Sequence, residues 1–226
     1  MRLVIFDCDG TLVNSQHVIG AAMEHAFRAL GLEPPSRLEV LGVVGLSLPQ
    51  AFDVLAPAHP LSRRVRLGEL YREHFPRVRQ EAPTSEPLYC GVREVVSALR
   101  DREDIVLGIA TGKSKRGVAR LLEREGWQAD FHTIQTADDH PSKPHPSMIL
   151  QAMAEAGVTP EATVMVGDTS FDMEMARSAR VGAVGVAWGY HAVDRLAAAG
   201  AHAIVGERAD LLSAIEEQFA RQQVAL

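Results

Sequence analysis

The sequence predicts an α/β protein: a doubly wound parallel sheet interrupted by an inserted all-helical lobe. Short apolar runs rich in β-formers recur along the chain, namely "LVIF" (3–6), "IVLGIA" (105–110), "TVMV" (163–166) and "AVGVAW" (183–188). Each is apolar at consecutive positions, which suits strands buried on both faces. Apolar residues at helical spacing lie between them, and strands alternating with helices build parallel sheets. Residues 15–86 break that alternation with helical patterns and no convincing strand, which marks an insertion after the first strand.

Taken in order, "LVIF" ends at Asp7-Cys8-Asp9-Gly10-Thr11. Helical stripes follow at Ile19, Ala22, Met23, Ala26 and Leu30, then at Leu67, Leu70, Tyr71, Phe75 and Val78. "EPPS" (33–36) and "APAHP" (56–60) punctuate them, since proline breaks helical runs. The polar, Pro-containing stretch "QEAPTSEPLYCG" (80–91) reads as the linker back. The expected division is a core of residues 1–14 and 87–226 and a helical lobe of residues 15–86. Beyond the linker, Val92, Val95, Val96 and Leu99 predict a helix; so do Ile149, Ala152, Met153 and Ala156, and Leu211, Ile215 and Phe219 mark a last one. "FHTI" (131–134) and "AIV" (203–205) are weaker strand candidates.

Bulk properties bound the function. A chain of 226 residues, 46% hydrophobic, supplies a sizeable core. A net charge of -6 provides no general field for nucleic acid or an anionic membrane. The densest basic cluster, Arg63, Arg64 and Arg66, sits in a helical pattern and reads as a solvated face. Two cysteines, Cys8 and Cys90, are no disulfide framework and fit a reducing compartment. No cationic leader with an apolar region is visible, and no apolar run approaches the ~20 residues of a membrane span. The expectation is a soluble, cytoplasmic monomer or homodimer with no nucleic-acid or membrane partner.

In doubly wound sheets, ligands bind beyond the carboxyl ends of the strands. The residues at those ends form one set. Asp7 and Asp9 follow the first run, Thr111, Gly112 and Lys113 the second, and Asp168 and Asp172 the third; Lys143 sits in "SKPHP", before a helix that Pro144 and Pro146 help to start. Singly, a strand-end Asp caps a turn or helix, Thr-Gly is a turn, and a lysine is a surface lysine. Jointly, Asp7, Asp9 and Asp168 would repel one another unless a cation neutralised them. An oxygen-rich carboxylate site suits Mg2+, which keeps waters for a phosphate. Thr111 and the backbone N–H groups of residues 8–11 and 112 are expected donors to anionic oxygens. The set describes a phosphoryl-transfer site.

"DCDGTL", "ATGKS", "SKPHP" and "GDTSFD", in this order, resemble motifs I to IV of the haloacid dehalogenase superfamily. The insertion between the first two resembles the α-helical cap of its subfamily I, so the resemblance covers essentially the whole chain. It implies a Rossmann-like core with a cap that opens and closes over the site. It implies that Asp7 is the nucleophile, forming an aspartyl-phosphate, and that Asp9 is the acid/base. It assigns Mg2+ to Asp7, the backbone carbonyl of Asp9 and Asp168, with Asp172 as a further ligand or an orienting residue. Thr111, Gly112 and Lys143 would bind the transferring phosphoryl.

Departures from family patterns narrow the chemistry. Dehalogenases of the superfamily lack the second aspartate, and phosphonatases usually carry Ala there and use a cap lysine; here Asp9 is present and residues 15–86 contain no lysine. β-Phosphoglucomutase-like members carry a histidine where this chain has Ile19, so a mutase is the lesser alternative. "GDTSFDMEMA" and "GVAWGY" resemble the phosphoglycolate phosphatase-like branch. "GVVGLSLPQAF" (42–52) resembles that branch's substrate loop, or is an interhelical turn. The expected activity is hydrolysis of a small phosphate ester, 2-phosphoglycolate among the candidates. A non-catalytic binding protein on the same fold is the alternative from a different class. Cys8 should point into packing, Cys90 is incidental, His145 shapes its loop, and His191 faces the site or caps.

Overall fold

The structure, a computed structural model, describes residues 1–81 and 86–224. Residues 82–85 of the expected linker lie outside the described residues. Strand β1 (Arg2–Phe6) leads into four helices: α1 (Gln16–Ala29), α2 (Arg37–Leu41), α3 (Leu48–Leu55) and α4 (Leu61–Glu81). The chain continues through α5 (Val92–Arg100), β2 (Ile105–Thr111), α6 (Lys115–Glu125), β3 (Phe131–Thr136), α7 (Ser147–Ala156) and β4 (Thr163–Gly167). It ends with α8 (Ser170–Ser178), β5 (Gly182–Val186), α9 (Val193–Ala198), β6 (Ala203–Val205) and α10 (Leu211–Val224). The six strands form a single parallel sheet in the order β3-β2-β1-β4-β5-β6.

Strand alternation decides which side each residue serves. Val4 and Phe6 of β1 join Leu107, Ile109, Val164 and Val166 in a core closed by α5, α6 and α10. Leu3 and Ile5 face the other way, into a core with Met165 closed by α7, α8 and α9. The helical lobe has its own cluster, built on Ile19, Met23, Phe27, Phe52 and Leu67.

Both weaker strand candidates are strands, and β3 runs on to Thr136. Two boundaries differ from expectation. Thr111 is the last residue of β2 rather than the first of a loop, because its pairing with Thr136 extends the ladder. The "AVGVAW" strand stops at Val186: Trp188 has left the sheet, and its indole N–H donates to the Thr11 carbonyl at 3.2 Å.

The order reverses on either side of β1, so the crevice of this fold opens between β1 and β4. Phe6 pairs with Val166, and the Asp7 N–H donates to the Val166 carbonyl at 3.0 Å. Asp7 and Asp168 therefore leave the sheet side by side at the switch point.

Candidate active site

Asp7, Asp168, Asp172 and Lys143 are buried together beyond that edge, none more than 1% exposed. Lys143 donates to Asp7 Oδ1 at 2.8 Å and to Asp172 Oδ1 at 2.6 Å. Asp172 is also the third residue of α8, where its Oδ2 accepts from the Thr169 N–H and hydroxyl at 3.0 and 2.7 Å. A single side chain thus caps its helix and orients the lysine. Asp168 accepts from the Thr11 hydroxyl at 2.9 Å and the Tyr190 N–H at 2.8 Å. Two glycines let the chain come this close. A Cβ on Gly10, which has φ +97, would lie 2.2 Å from Asp168 Oδ2, and one on Gly189 would lie 2.1 Å from Asp168 Cβ.

The charges do not balance. Asp7, Asp168 and Asp172 each bring a carboxylate oxygen within 4.8 Å of the others, with Lys143 the cation paired to them. Burial pushes the Asp7 carboxyl above its usual range; Lys143 pulls it down and Asp172 pushes it up again. Burial, then the charges of Asp7 and Asp172, push Asp168 well up. Burial opposes the charged form of Lys143, but Asp172 and Asp7 outweigh it and hold the ammonium protonated. Asp7 Oδ2 is buried with no hydrogen-bond partner, a costly condition in a folded interior. An all-oxygen donor set with surplus negative charge and an orphan acceptor fits a hard divalent cation such as Mg2+.

Asp9 stands outside the group of Asp7, Asp168 and Asp172. Its Oδ1 accepts from Lys113 Nζ at 2.7 Å, and Lys113 also donates to Glu86 at 2.9 Å. Neither Lys113 nor Glu86 stands among the expected catalytic, phosphate-binding or metal-holding residues. The available signal for Lys113 was its two-residue spacing from Thr111; Glu86, in a polar linker, had none.

The expected set of backbone donors shrinks. Gly10 N–H donates to the Val13 carbonyl and Thr11 N–H to the Cys8 carbonyl, so the turn consumes both. Gly112 is tight for another reason: a Cβ there would lie 2.7 Å from the Gly45 carbonyl oxygen and 2.8 Å from that of Leu46. The helical lobe's loop seats on this glycine, and nearby the Ser47 N–H donates to Ser142 Oγ at 2.7 Å. Gly112→Ala is expected to unseat the loop and lower kcat/KM about 10²-fold, as ångström-scale misplacement does, with thermal stability retained. Steady-state kinetics beside a melting curve check this; unchanged kinetics would separate the contact from catalysis.

Cys8 is fully buried in the core, and burial, then Asp7 and Asp9, push its thiol up, away from nucleophilic chemistry. Cys90 is exposed. His145 Nδ1 accepts from the Ser147 N–H at 3.2 Å and shapes the loop that carries Lys143. His191 Nδ1 accepts from the Ser170 N–H at 3.0 Å, while its Nε2 faces the Gly42 carbonyl at 3.3 Å. Burial, then Arg195, push His191 down to about 4, so it is a neutral strut between α8 and the lobe.

A cavity of about 900 Å³ lies over the edge, with Asp7, Asp9 and Thr111 on its sheet side and Ile19, Tyr71 and Phe75 on its helical side. Fold and site together define an α/β protein with a cluster of buried carboxylates at the switch point of its sheet, beneath a helical lobe. Residues 4–186 match the model of haloacid dehalogenase-like hydrolases, and the chain belongs to that family. It is 35% identical over 216 residues to "probable phosphatase IndB" of Dickeya dadantii, covering 94% of this chain and 92% of the relative. It is 32% identical to "pyrophosphatase PpaX" of Oceanobacillus iheyensis, covering 97% and 99%. A "phosphoglycolate phosphatase" of Agrobacterium fabrum is 31% identical, covering 83% and 81%. Among solved structures, a hydrolase from Pseudomonas syringae aligns with a TM-score of 0.83 at 26% identity, covering 96% of this chain and 98% of that one.

Proposed function

We propose that the protein is a Mg2+-dependent phosphomonoester hydrolase acting on small phosphorylated metabolites through an aspartyl-phosphate on Asp7. The observation that carries this reading is Asp7 Oδ2, an unpartnered buried carboxylate oxygen beside Lys143 and Asp168 at the floor of the cavity. Asp7 attacks phosphorus, and Asp9 gives the leaving oxygen a proton, then takes one from the water that cleaves the acyl phosphate. Lys143 and Thr111 hold the phosphoryl oxygens. Asp7, Asp168 and the Asp9 main-chain carbonyl would hold Mg2+, which when bound offsets charge on the transferring group. Asp172, with Oδ2 spent on Thr169 and Oδ1 on Lys143, orients the lysine.

The cavity walls bear on the substrate. Arg72, Arg116 and Arg120 line it, and among the described residues none has a carboxylate partner within ion-pair distance. Such a wall suits a substrate with a second anionic group, 2-phosphoglycolate being one. Ile19 also lines the cavity, at the position where β-phosphoglucomutase-like members carry a histidine. Residues 15–86 act as the cap of core 1–14 and 87–226, and the "GVVGLSLPQAF" loop places substrate. No helix among the described residues is long and apolar enough to cross a membrane. The exposed free thiol of Cys90 suits the cytoplasm.

The test is turnover of p-nitrophenyl phosphate and of phosphorylated two- to six-carbon metabolites, with and without a second acidic group. Chelation should abolish turnover, Mg2+ should restore it, and esters with a second anion should lead in kcat/KM. Turnover of none of these esters would remove the hydrolase reading in favour of a binding protein. A lead by neutral-tailed esters would remove the anionic substrate alone.

A further inference from the structure

A chain of ionic contacts runs from Asp9 out to the helical lobe. Asp9 Oδ1 meets Lys113 Nζ at 2.7 Å, and Lys113 Nζ meets Glu86 Oε1 at 2.9 Å. Glu86 Oε2 meets Arg79 Nε at 2.5 Å. The side chains of Lys113 and Glu86 are 7% and 5% exposed. The Lys113 ammonium also stands 5.8 Å from the centre of the Phe75 ring. Lys113 follows a core strand, Glu86 lies on the return from the lobe, and Arg79 and Phe75 belong to α4. The burial of Lys113 works against its charge, and Asp9 and Glu86 overcome it. Glu86 is likewise held ionised against its burial by Lys113 and Arg79. Buried ionic groups are expensive unless paired, and Lys113 and Glu86, the most buried members, each stand between two opposite charges.

The arrangement constrains Asp9. An aspartate carboxylate swings about two side-chain bonds, and a proton donor must sit within hydrogen-bond reach of the oxygen it serves. With Oδ1 held by Lys113, the swing of the carboxylate is restricted, and Oδ2 is the oxygen left for proton transfer. We propose that Lys113, backed by Glu86 and Arg79, is a positioning residue for Asp9, through which the seating of α4 governs proton transfer to the leaving group. This rests on the reading of Asp9 as acid/base. In that step the P–O bond to the leaving oxygen breaks as Asp7 Oδ bonds to phosphorus. The bond's electron pair goes to the leaving oxygen, and the Asp9 proton follows it.

Leaving-group dependence separates positioning from direct phosphate binding. An alkyl phosphate needs its leaving oxygen protonated, whereas p-nitrophenolate departs as an anion. The parameter kcat/KM reports the steps through leaving-group departure, so later hydrolysis of the acyl phosphate does not blur it. For Lys113→Met, kcat/KM on an alkyl phosphate is expected to fall about 10²-fold, with a roughly tenfold smaller loss on p-nitrophenyl phosphate. Asp9→Asn should show the same asymmetry, and the double variant should be no worse than Asp9→Asn alone. Equal losses on both esters would make Lys113 a phosphate ligand and overturn the proposal, as would additive losses in the double variant. Glu86→Gln, which keeps the side chain's shape, should carry the same asymmetry at smaller size. If Lys113→Met does not fold, a symmetric loss in Glu86→Gln overturns the proposal equally. Wild-type protein that turns over neither ester fails the phosphatase reading itself, before any variant is compared.

Discussion

Asp7→Asn is expected to lower turnover by about 10⁴-fold or more, the scale seen when a covalent nucleophile is removed. The substitution keeps size and shape, and the amide oxygen can still accept from Lys143, which now bonds Asp7 Oδ1 at 2.8 Å. What disappears is the anionic oxygen that, on the proposed mechanism, attacks phosphorus. Stability should move little, because two effects oppose each other. Asp7 is buried and its carboxyl is held above the usual range, so a neutral amide relieves a desolvation cost. Against that stands the lost attraction to Lys143, which keeps its second partner, Asp172. Turnover of p-nitrophenyl phosphate, acid-quench trapping of phosphorylated protein and a melting curve form one experiment. Wild-type protein should accumulate label that Asp7→Asn does not. Activity within tenfold of wild type would show that another group attacks phosphorus.

The reach of the sequence follows from where each residue's role is decided. Leu3, Val4, Ile5 and Phe6 are buried on both faces of the sheet, and their unbroken apolar run says so directly. Asp7, Thr111 and Asp168 stand at the ends of such runs, and parallel strands bring those ends to one edge; their meeting is legible once the strands are. Lys143 is harder. Nothing local distinguishes it from a surface lysine, and only its place among the other motifs predicted a site role; in the structure it is fully buried between two aspartates. Lys113 and Glu86 show where legibility ends. Their pairing spans the core and the linker, and it depends on how a helical lobe folds back, which no short-range pattern encodes. Gly112 is a related case. Beside its expected role as a phosphate donor, this glycine closely approaches the Gly45 carbonyl, a packing relation between distant segments. The position of Asp172 in the sequence fits a ligand and an orienting residue equally; its hydrogen bonds to Thr169 and Lys143 come from side-chain directions that the sequence leaves open.

Lys143→Met should be the most destabilising of these substitutions, and divalent cation should partly repair it. Removing one partner from a buried ionic group leaves the other charges uncompensated, a cost of about 3–5 kcal/mol. In a chain of this size each kcal/mol moves the melting temperature by roughly 2–4 °C, so a fall of about 10 °C is expected without metal. The sign of the pH dependence follows from linkage. Asp7 and Asp168 have folded pKa values above their ordinary ones, so the folded state holds more protons than the unfolded chain, and stability falls as pH rises through those folded values. Lys143 lowers the Asp7 value, so its removal extends that loss to higher pH. The gap between variant and wild type should therefore narrow as pH falls through the raised folded values toward the ordinary carboxylate range, where protonation relieves the crowding. Lys143 itself contributes no pH dependence there: its folded pKa is raised, and its contribution is fully present below the ordinary lysine value. On the proposed reading Mg2+ binds the folded state, and it should raise the melting temperature of the variant by more than that of wild type. Equal Mg2+ shifts in the two proteins, or a gap that widens on acidification, would mean that Lys143 does not counter the charge of this carboxylate cluster.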